Sequence, residues 1–175
     1  MDAPSEQHQQ QTARASYNRM SKIYSFLSDE SEQRFVSAAI EGMLQPQPGE
    51  VVLEPGFGTG QVLVALAELV GEEGRVYGID ISDGMLAQTT KRVAEHGLTE
   101  RVDLQRGSAT AMPYADATFD AIFMSFTLEL FPDDQIPQVL AECDRVLKPS
   151  GRLCVACMSS EGGIPTMERL YEWSH

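Results

Sequence analysis

The run Glu54-Pro-Gly-Phe-Gly-Thr-Gly60 places three glycines directly behind an acid. It follows the apolar stretch Val51-Val-Leu53 and precedes Gln61–Val70, whose apolar residues recur at helical spacing. A glycine-rich turn between a buried strand and a helix bends tightly and lets a ligand approach with no Cβ in the way. A second acid, Asp80, ends the next apolar segment twenty-six residues after Glu54. A carboxylate at the end of a second strand can accept both hydroxyls of a ribose. Charge-assisted hydrogen bonds of that kind contribute roughly 1.5–3 kcal/mol each. The loop reads GxGxG with Gln61 next, not GxGxxG, and no cation follows Asp80 closely to meet a ribose 2′-phosphate. Further on, Ser108 and Ala109 fall just past a third strand, where their backbone and the serine hydroxyl could bond the edge of a base.

These groups need a scaffold, and the chain supplies strand and helix in alternation. Val51–Leu53, Arg75–Ile79, Val102–Gln105, Phe119–Met124 and Gly151–Met158 read as strands. Helices are predicted over Gln61–Val70, from Ser82 or Asp83 to His96-Gly97, from Asp133 or Asp134 to Leu147-Lys-Pro149, and over Ile164–Trp173. Ahead of them, Asp29 or Ser31 caps a helix that runs to about Leu44 and stops at Pro46, Pro48 and Gly49. Short connections and right-handed crossovers make this a parallel sheet with helices on both faces. The domain reading is a tail and helical lid over residues 1–30 and one α/β core over residues 31–175.

Composition narrows the partners. The 175 residues carry a net charge of -13, with no basic cluster to neutralise phosphates or an anionic membrane surface. Nucleic acid and membrane are therefore not expected as partners. With 42% hydrophobic and 22% charged residues the chain can build a core, and no apolar run approaches membrane-spanning length. A soluble, cytoplasmic protein follows. Cys154 and Cys157 form a CxxC inside an apolar run, where residues three apart point to opposite faces of a strand. They read as small core residues. No second CxxC or histidine pair completes a zinc site, so no metal is expected.

The glycine run, Asp80 with Ile81-Ser82 and Met85-Leu86, Gly107-Ser-Ala109, Phe119-Asp120 and Leu147-Lys-Pro-Ser-Gly151 together resemble class I S-adenosylmethionine-dependent methyltransferases. The likeness is strongest to the small-molecule branch that includes the ubiquinone and menaquinone biosynthesis enzymes, and it covers roughly residues 17–175. It implies a Rossmann-like three-layer sandwich with a mostly parallel sheet in strand order 3-2-1-4-5. Family members continue with two more strands, one antiparallel, in the order 3-2-1-4-5-7-6. The chain is read as lacking those last two. Strand five would then be an open apolar edge, a pairing hazard. A second copy of the chain, the chain's own terminal segment, or nothing would cover it.

The resemblance also implies roles. Glu54, Gly56, Gly58 and Gly60, with Thr59 between them, line the methionine end of S-adenosylmethionine. Asp80 holds the ribose, with Ile81 and Met85 against the ribose-adenine face. Ser108 and Ala109 meet adenine, although the family commonly has an acid where Ser108 stands. Ser125 and Phe126 floor the site, and Tyr17 and Tyr24 belong to an N-terminal lid. The reaction implied is methyl transfer to a small-molecule acceptor through an oxygen, carbon or nitrogen nucleophile. The chain has no Pro-Cys dipeptide of the cytosine C5 type and no Asn/Asp-Pro-Pro-aromatic run of the amino-group type. Glu129, soon after strand four, is the one candidate for a base, and a solvent-facing or capping role fits it equally. Two other readings stand beside this one. A non-catalytic or truncated cofactor-binding domain follows from the missing strands, and an NAD(P)-binding oxidoreductase follows from the glycine loop alone.

Overall fold

The computed structural model describes residues 36–157 and the strand Leu170–Ser174. Helical residues 36–39 widen into a π-turn at Ile40–Leu44, closed by the Gln45 N–H donating to the Ile40 carbonyl at 2.7 Å. There follow β1 (Val51–Pro55), α1 (Gln61–Val70), β2 (Arg75–Asp80), α2 (Asp83–Glu95), β3 (Val102–Arg106) and β4 (Phe119–Ser125). A 3₁₀ turn (Leu128–Leu130), α3 (Ile136–Val146), β5 (Leu147–Ala156) and β6 (Leu170–Ser174) complete the described chain. The sheet order is β3-β2-β1-β4-β5-β6. The first five strands are parallel, in the order expected from the sequence.

Burial on both faces explains the continuous apolar runs. Along β4, Ala121 and Phe123 enter one core cluster, and Ile122 and Met124 enter the other. Val52 and Leu53 split the same way on β1. Each strand side chain has a core to fill, so no polar alternation survives. On α1, Leu63, Leu66, Ala67 and Val70 sit at positions i, i+3, i+4 and i+7, and all are fully buried. Ser82 caps α2, its Oγ accepting the Met85 N–H at 3.3 Å. The cysteines behave as core residues: Cys154 joins the first cluster and Cys157 packs against the second, on opposite faces.

Three expectations need correction. Residues 170–174 are a strand, not the end of a helix over Ile164–Trp173; residues 164–169 lie outside the described part. β6 pairs antiparallel with β5, from Arg152↔Ser174 to Ala156↔Leu170. One strand beyond the fifth is therefore present, and the chain's own terminal segment covers the strand-five edge proposed for a homodimer. The alternating Leu170-Tyr-Glu-Trp-Ser174 suits a strand, but the helical pattern seen in the longer window outweighed it. The other two corrections are boundaries. α3 opens at Ile136, beyond the expected Asp133 or Asp134, with a proline in its first turn. It closes at Val146, because Leu147 already pairs with Phe119. The next pair is Ala121↔Arg152, so Lys148-Pro-Ser-Gly151 forms a bulge opposite a single β4 residue, which is where a proline is tolerated.

Candidate functional site

β1 and β2 run parallel and in register, so Glu54 lies opposite Gly78 and the strands end side by side. The chain leaves β1 through the glycine loop, and Asp80 closes β2 beside it. The Gly58 N–H donates to Asp80 Oδ2 at 3.0 Å, and the Ser82 N–H donates to Oδ1 at 2.9 Å. Asp80 thus fixes both the loop and the start of α2. Each carboxylate oxygen keeps lone-pair capacity for a ligand hydroxyl.

The three loop glycines serve different ends. A Cβ on Gly56 would collide with Thr127, and one on Gly60 would collide with Thr89. These threonines are buried and brace the loop. Thr89 Oγ1 donates to the Gly58 carbonyl at 2.8 Å, and Thr127 Oγ1 lies 3.2 Å from the Gly56 carbonyl and 3.0 Å from that of Ser125. A Cβ on Gly58 would meet nothing. Gly58 therefore faces open space, and it is the glycine over which a ligand can approach. Gly78 of β2 completes the arrangement, since a Cβ there would collide with Phe57 and Leu63 and hold α1 off the sheet.

Glu54 is 2% exposed, and its Oε2 is buried with no hydrogen-bond partner. Burial, and then the charge of Asp80, push its carboxyl well above the usual carboxylate range. Two carboxyl groups at one end of the sheet, one of them unsatisfied, make a place for a cation or a donor. At the neighbouring strand end, Phe126 turns the chain in the left-handed region (φ 50°), and its N–H donates to the Ala156 carbonyl at 2.8 Å. Strain of this type clusters at functional sites.

The other sequence-stated positions divide. Ile81 is 71% exposed beside Asp80, an apolar side chain open to a flat ligand. Met85 is half-buried against the first core cluster. Ala109 and Phe126 are buried, whereas Thr59, Ser108 and Ser125 are half-buried. The Ser108 hydroxyl accepts the Thr110 N–H at 3.2 Å and pairs with Thr110 Oγ1 at 2.8 Å. It is engaged locally, which leaves the backbone of residues 108 and 109 for a base. Glu129 is half-buried on the 3₁₀ turn after β4, hydrogen-bonded with the Cys157 thiol, which burial and this carboxylate push up to about 12. Tyr17 and Tyr24 lie outside the described residues. Sequence reading missed Thr89 and Thr127. Thr89 is the one fully buried polar residue on a mostly exposed helix, and a lone threonine at a helical position carries little signal.

A glycine turn after β1 and an acid at the end of β2, side by side on a parallel sheet, define a Rossmann-like nucleotide-cofactor domain. Comparison with known proteins makes the class specific. A family profile described as "Methyltransferase domain" matches residues 52–151. The demethylmenaquinone methyltransferase of Alkalihalophilus pseudofirmus is 34% identical over 172 residues, covering 98% of this chain and 70% of that protein. The chain spans only 52% and 49% of two other demethylmenaquinone methyltransferases that it matches. Among solved structures, a SAM-dependent methyltransferase from Aquifex aeolicus superposes with a TM-score of 0.68 at 31% identity, over 83% of this chain and 77% of that one. The [4+2]-cyclase SpnF follows at 0.66 and 30% identity, over 75% and 47%. The chain belongs to the S-adenosylmethionine-dependent methyltransferase family.

The residues present fit that cofactor. S-adenosylmethionine carries an ammonium and a sulfonium, and the unsatisfied acid Glu54 and the open Gly58 backbone stand where a cationic end can lie. Asp80 has the chemistry to hold a ribose diol, and exposed Ile81 the surface to cover an adjoining base.

Proposed function

We propose that the chain transfers a methyl group from S-adenosylmethionine to a ring carbon of a small hydroxylated aromatic acceptor of the quinol type. The observation that carries this reading is the 34% identity, over 98% of this chain, with a demethylmenaquinone methyltransferase. The bound cofactor supplies a methyl group on positively charged sulfur. The acceptor carbon forms a bond to that methyl, the carbon–sulfur bond breaks with its electron pair going to sulfur, and the ring carbon loses a proton. The chain's part is to hold the two reactants in line and keep water out. Glu54, Asp80 and the loop orient the cofactor. Ser125 and Phe126 form the floor beneath the transferred methyl. Glu129, on the next turn, is the residue we assign to receive the proton.

The acidic charge fits a small-molecule acceptor and a cytoplasmic location. Among the described residues no helix is long and apolar enough to cross a membrane. Likeness to a [4+2]-cyclase means that methyl transfer itself must be measured. The test is transfer of labelled methyl from S-adenosylmethionine to a demethylnaphthoquinol, with cofactor binding followed separately by calorimetry. Labelled product from the wild type, and its loss in Glu129→Gln with cofactor affinity intact, support the reading. Tight cofactor binding with no transfer to quinol, phenol or amine acceptors would overturn it in favour of a cofactor-binding module.

A further inference from the structure

Arg92 differs from the other described arginines. The sequence holds 26 acids against 13 lysines and arginines, so partners are plentiful. Arg75, Arg101, Arg106, Arg145 and Arg152 each reach a carboxylate or a carbonyl. Arg92 makes no such contact among the described residues, and its Nε is buried with no hydrogen-bond partner. An unpaired buried donor is costly and calls for an explanation, commonly an ion or ligand that satisfies it.

The surroundings give the explanation a shape. Arg92 lines a groove of about 300 Å³ between the 36–44 helical segment, α1 and α2. No strand residue contributes to it, and neither Glu54 nor Asp80 lines it. Val36, Ile40, Val62 and Ala65 make an apolar wall, while Ser37 and Gln61 add a hydroxyl and an amide. His96, one turn along α2 from Arg92, also lines it. Its Nδ1 lies 2.9 Å from the Arg92 carbonyl and donates there, which leaves Nε2 as the ring atom open to the groove. Arg92 supplies the groove's guanidinium.

The geometry points to a second ligand site that takes an amphipathic oxyanion. The guanidinium of Arg92 receives the carboxylate or phosphate head, and a short alkyl or aryl stem lies along Val36, Ile40, Val62 and Ala65. The volume stands at the lower end of small-molecule sites, which suits a single short stem. The guanidinium fork supplies paired donors to either head group.

The experiment is calorimetric titration of the full chain with octanoate, octyl phosphate, octanol and acetate. The first two separate the sources of the oxyanion, octanol removes the charge, and acetate removes the stem. Saturable binding of octanoate or octyl phosphate is expected, weaker by about tenfold or more for octanol and acetate. Arg92→Gln removes the charge, and Ala65→Phe fills the groove from α1. Each should weaken binding by about tenfold or more, and saturating S-adenosylhomocysteine should leave it unchanged. Undiminished binding in whichever variant folds, equal binding of octanol, displacement by S-adenosylhomocysteine, or no saturable binding would each overturn the assignment.

Discussion

At the edge where β1 and β4 begin, acids and bases close on each other. Arg152 forks onto Glu50 with bonds of 2.9 and 2.7 Å and donates to the Leu44 carbonyl at 2.7 Å. Asp120 accepts the Lys148 ammonium at 2.7 Å and the Val51 N–H at 3.0 Å. At the opposite edge, where β1 and β2 end, Glu54 meets the charge of Asp80, and its Oε2 has no hydrogen-bond partner. The carboxyls respond in opposite directions. Burial raises Asp120, but the bonds from Lys148 and Val51 outweigh it and leave the group below its ordinary range. Burial and Asp80 drive Glu54 up. One edge spends its charges on holding the fold. The other leaves Glu54 unsatisfied, at a cost to the free protein that a cationic ligand relieves.

The largest test of this contrast is Asp80→Ala. It removes the proposed ribose acceptor and releases the N–H groups of Gly58 and Ser82. Cofactor affinity should fall by about a hundredfold or more by calorimetry, the cost of at least two charge-assisted bonds. Near-normal affinity would remove Asp80 from the site. Arg152→Met probes the opposite edge. It removes the guanidinium from the Leu44 carbonyl, from Glu50, which keeps the Gln47 N–H, and from the Gln45 carbonyl, which keeps the Gln47 amide; the loss should cost about 2 kcal/mol in denaturant unfolding. Cofactor affinity should stay within about twofold in the same protein. A matching loss of affinity would mean that the two edges are coupled.

How legible each edge is in the sequence follows from range. The glycine loop, Asp80 and the alternation of strands and helices are local patterns, and the structure places them in the expected order. Ser82 as a cap and the buried face of α1 are local too. What escaped was set at a distance. Thr127 meets Gly56 from seventy-one residues away, and nothing near either residue announces it. The Lys148-Pro-Ser-Gly151 bulge reads as a helix stop because its β4 partners are remote. β6 was lost for a related reason: five residues of strand pattern sit inside a window that also fits a helix, and only pairing with β5 decides. The Arg152–Glu50 fork, which joins residues 102 apart, was equally invisible.

Glu54→Gln is the next smaller perturbation, and it acts on the free and bound protein in opposite senses. A carboxyl raised in the folded state keeps its proton while the unfolded chain loses it, so folding stability falls as pH climbs from the unfolded value near 4.5. Glutamine removes that penalty. The variant without cofactor should unfold at a higher temperature than the wild type at neutral pH, and the gap should close as pH drops to about 4. Cofactor affinity should meanwhile fall by about tenfold through loss of the charge. Asp120→Asn should show the reverse pH dependence. A depressed carboxyl stabilises above its unfolded value and stops doing so as pH falls through its folded one, so this variant should lose stability at neutral pH and approach the wild type in acid. Parallel pH profiles for the two variants would contradict the assignment of opposite roles to the two edges.

The smallest effect expected is that of Thr127→Val. Valine keeps the methyl group that fills the space above Gly56 and removes the hydroxyl that lies 3.2 Å from the Gly56 carbonyl and 3.0 Å from that of Ser125. One neutral hydrogen bond contributes about 1 kcal/mol. If Thr127 only packs, that loss should appear in denaturant unfolding with cofactor affinity untouched. If it braces the loop for binding, part of the loss should move into affinity, because the Gly56–Gly58 backbone must then be ordered by the ligand itself. A threefold or so weakening of cofactor binding, with unfolding almost unchanged, would mark Thr127 as a positioning residue of the binding edge. The converse would assign it to the core. Thr89→Val gives the matched comparison, since its hydroxyl holds Gly58, the glycine that faces open space. It should shift more of its cost into affinity than Thr127 does.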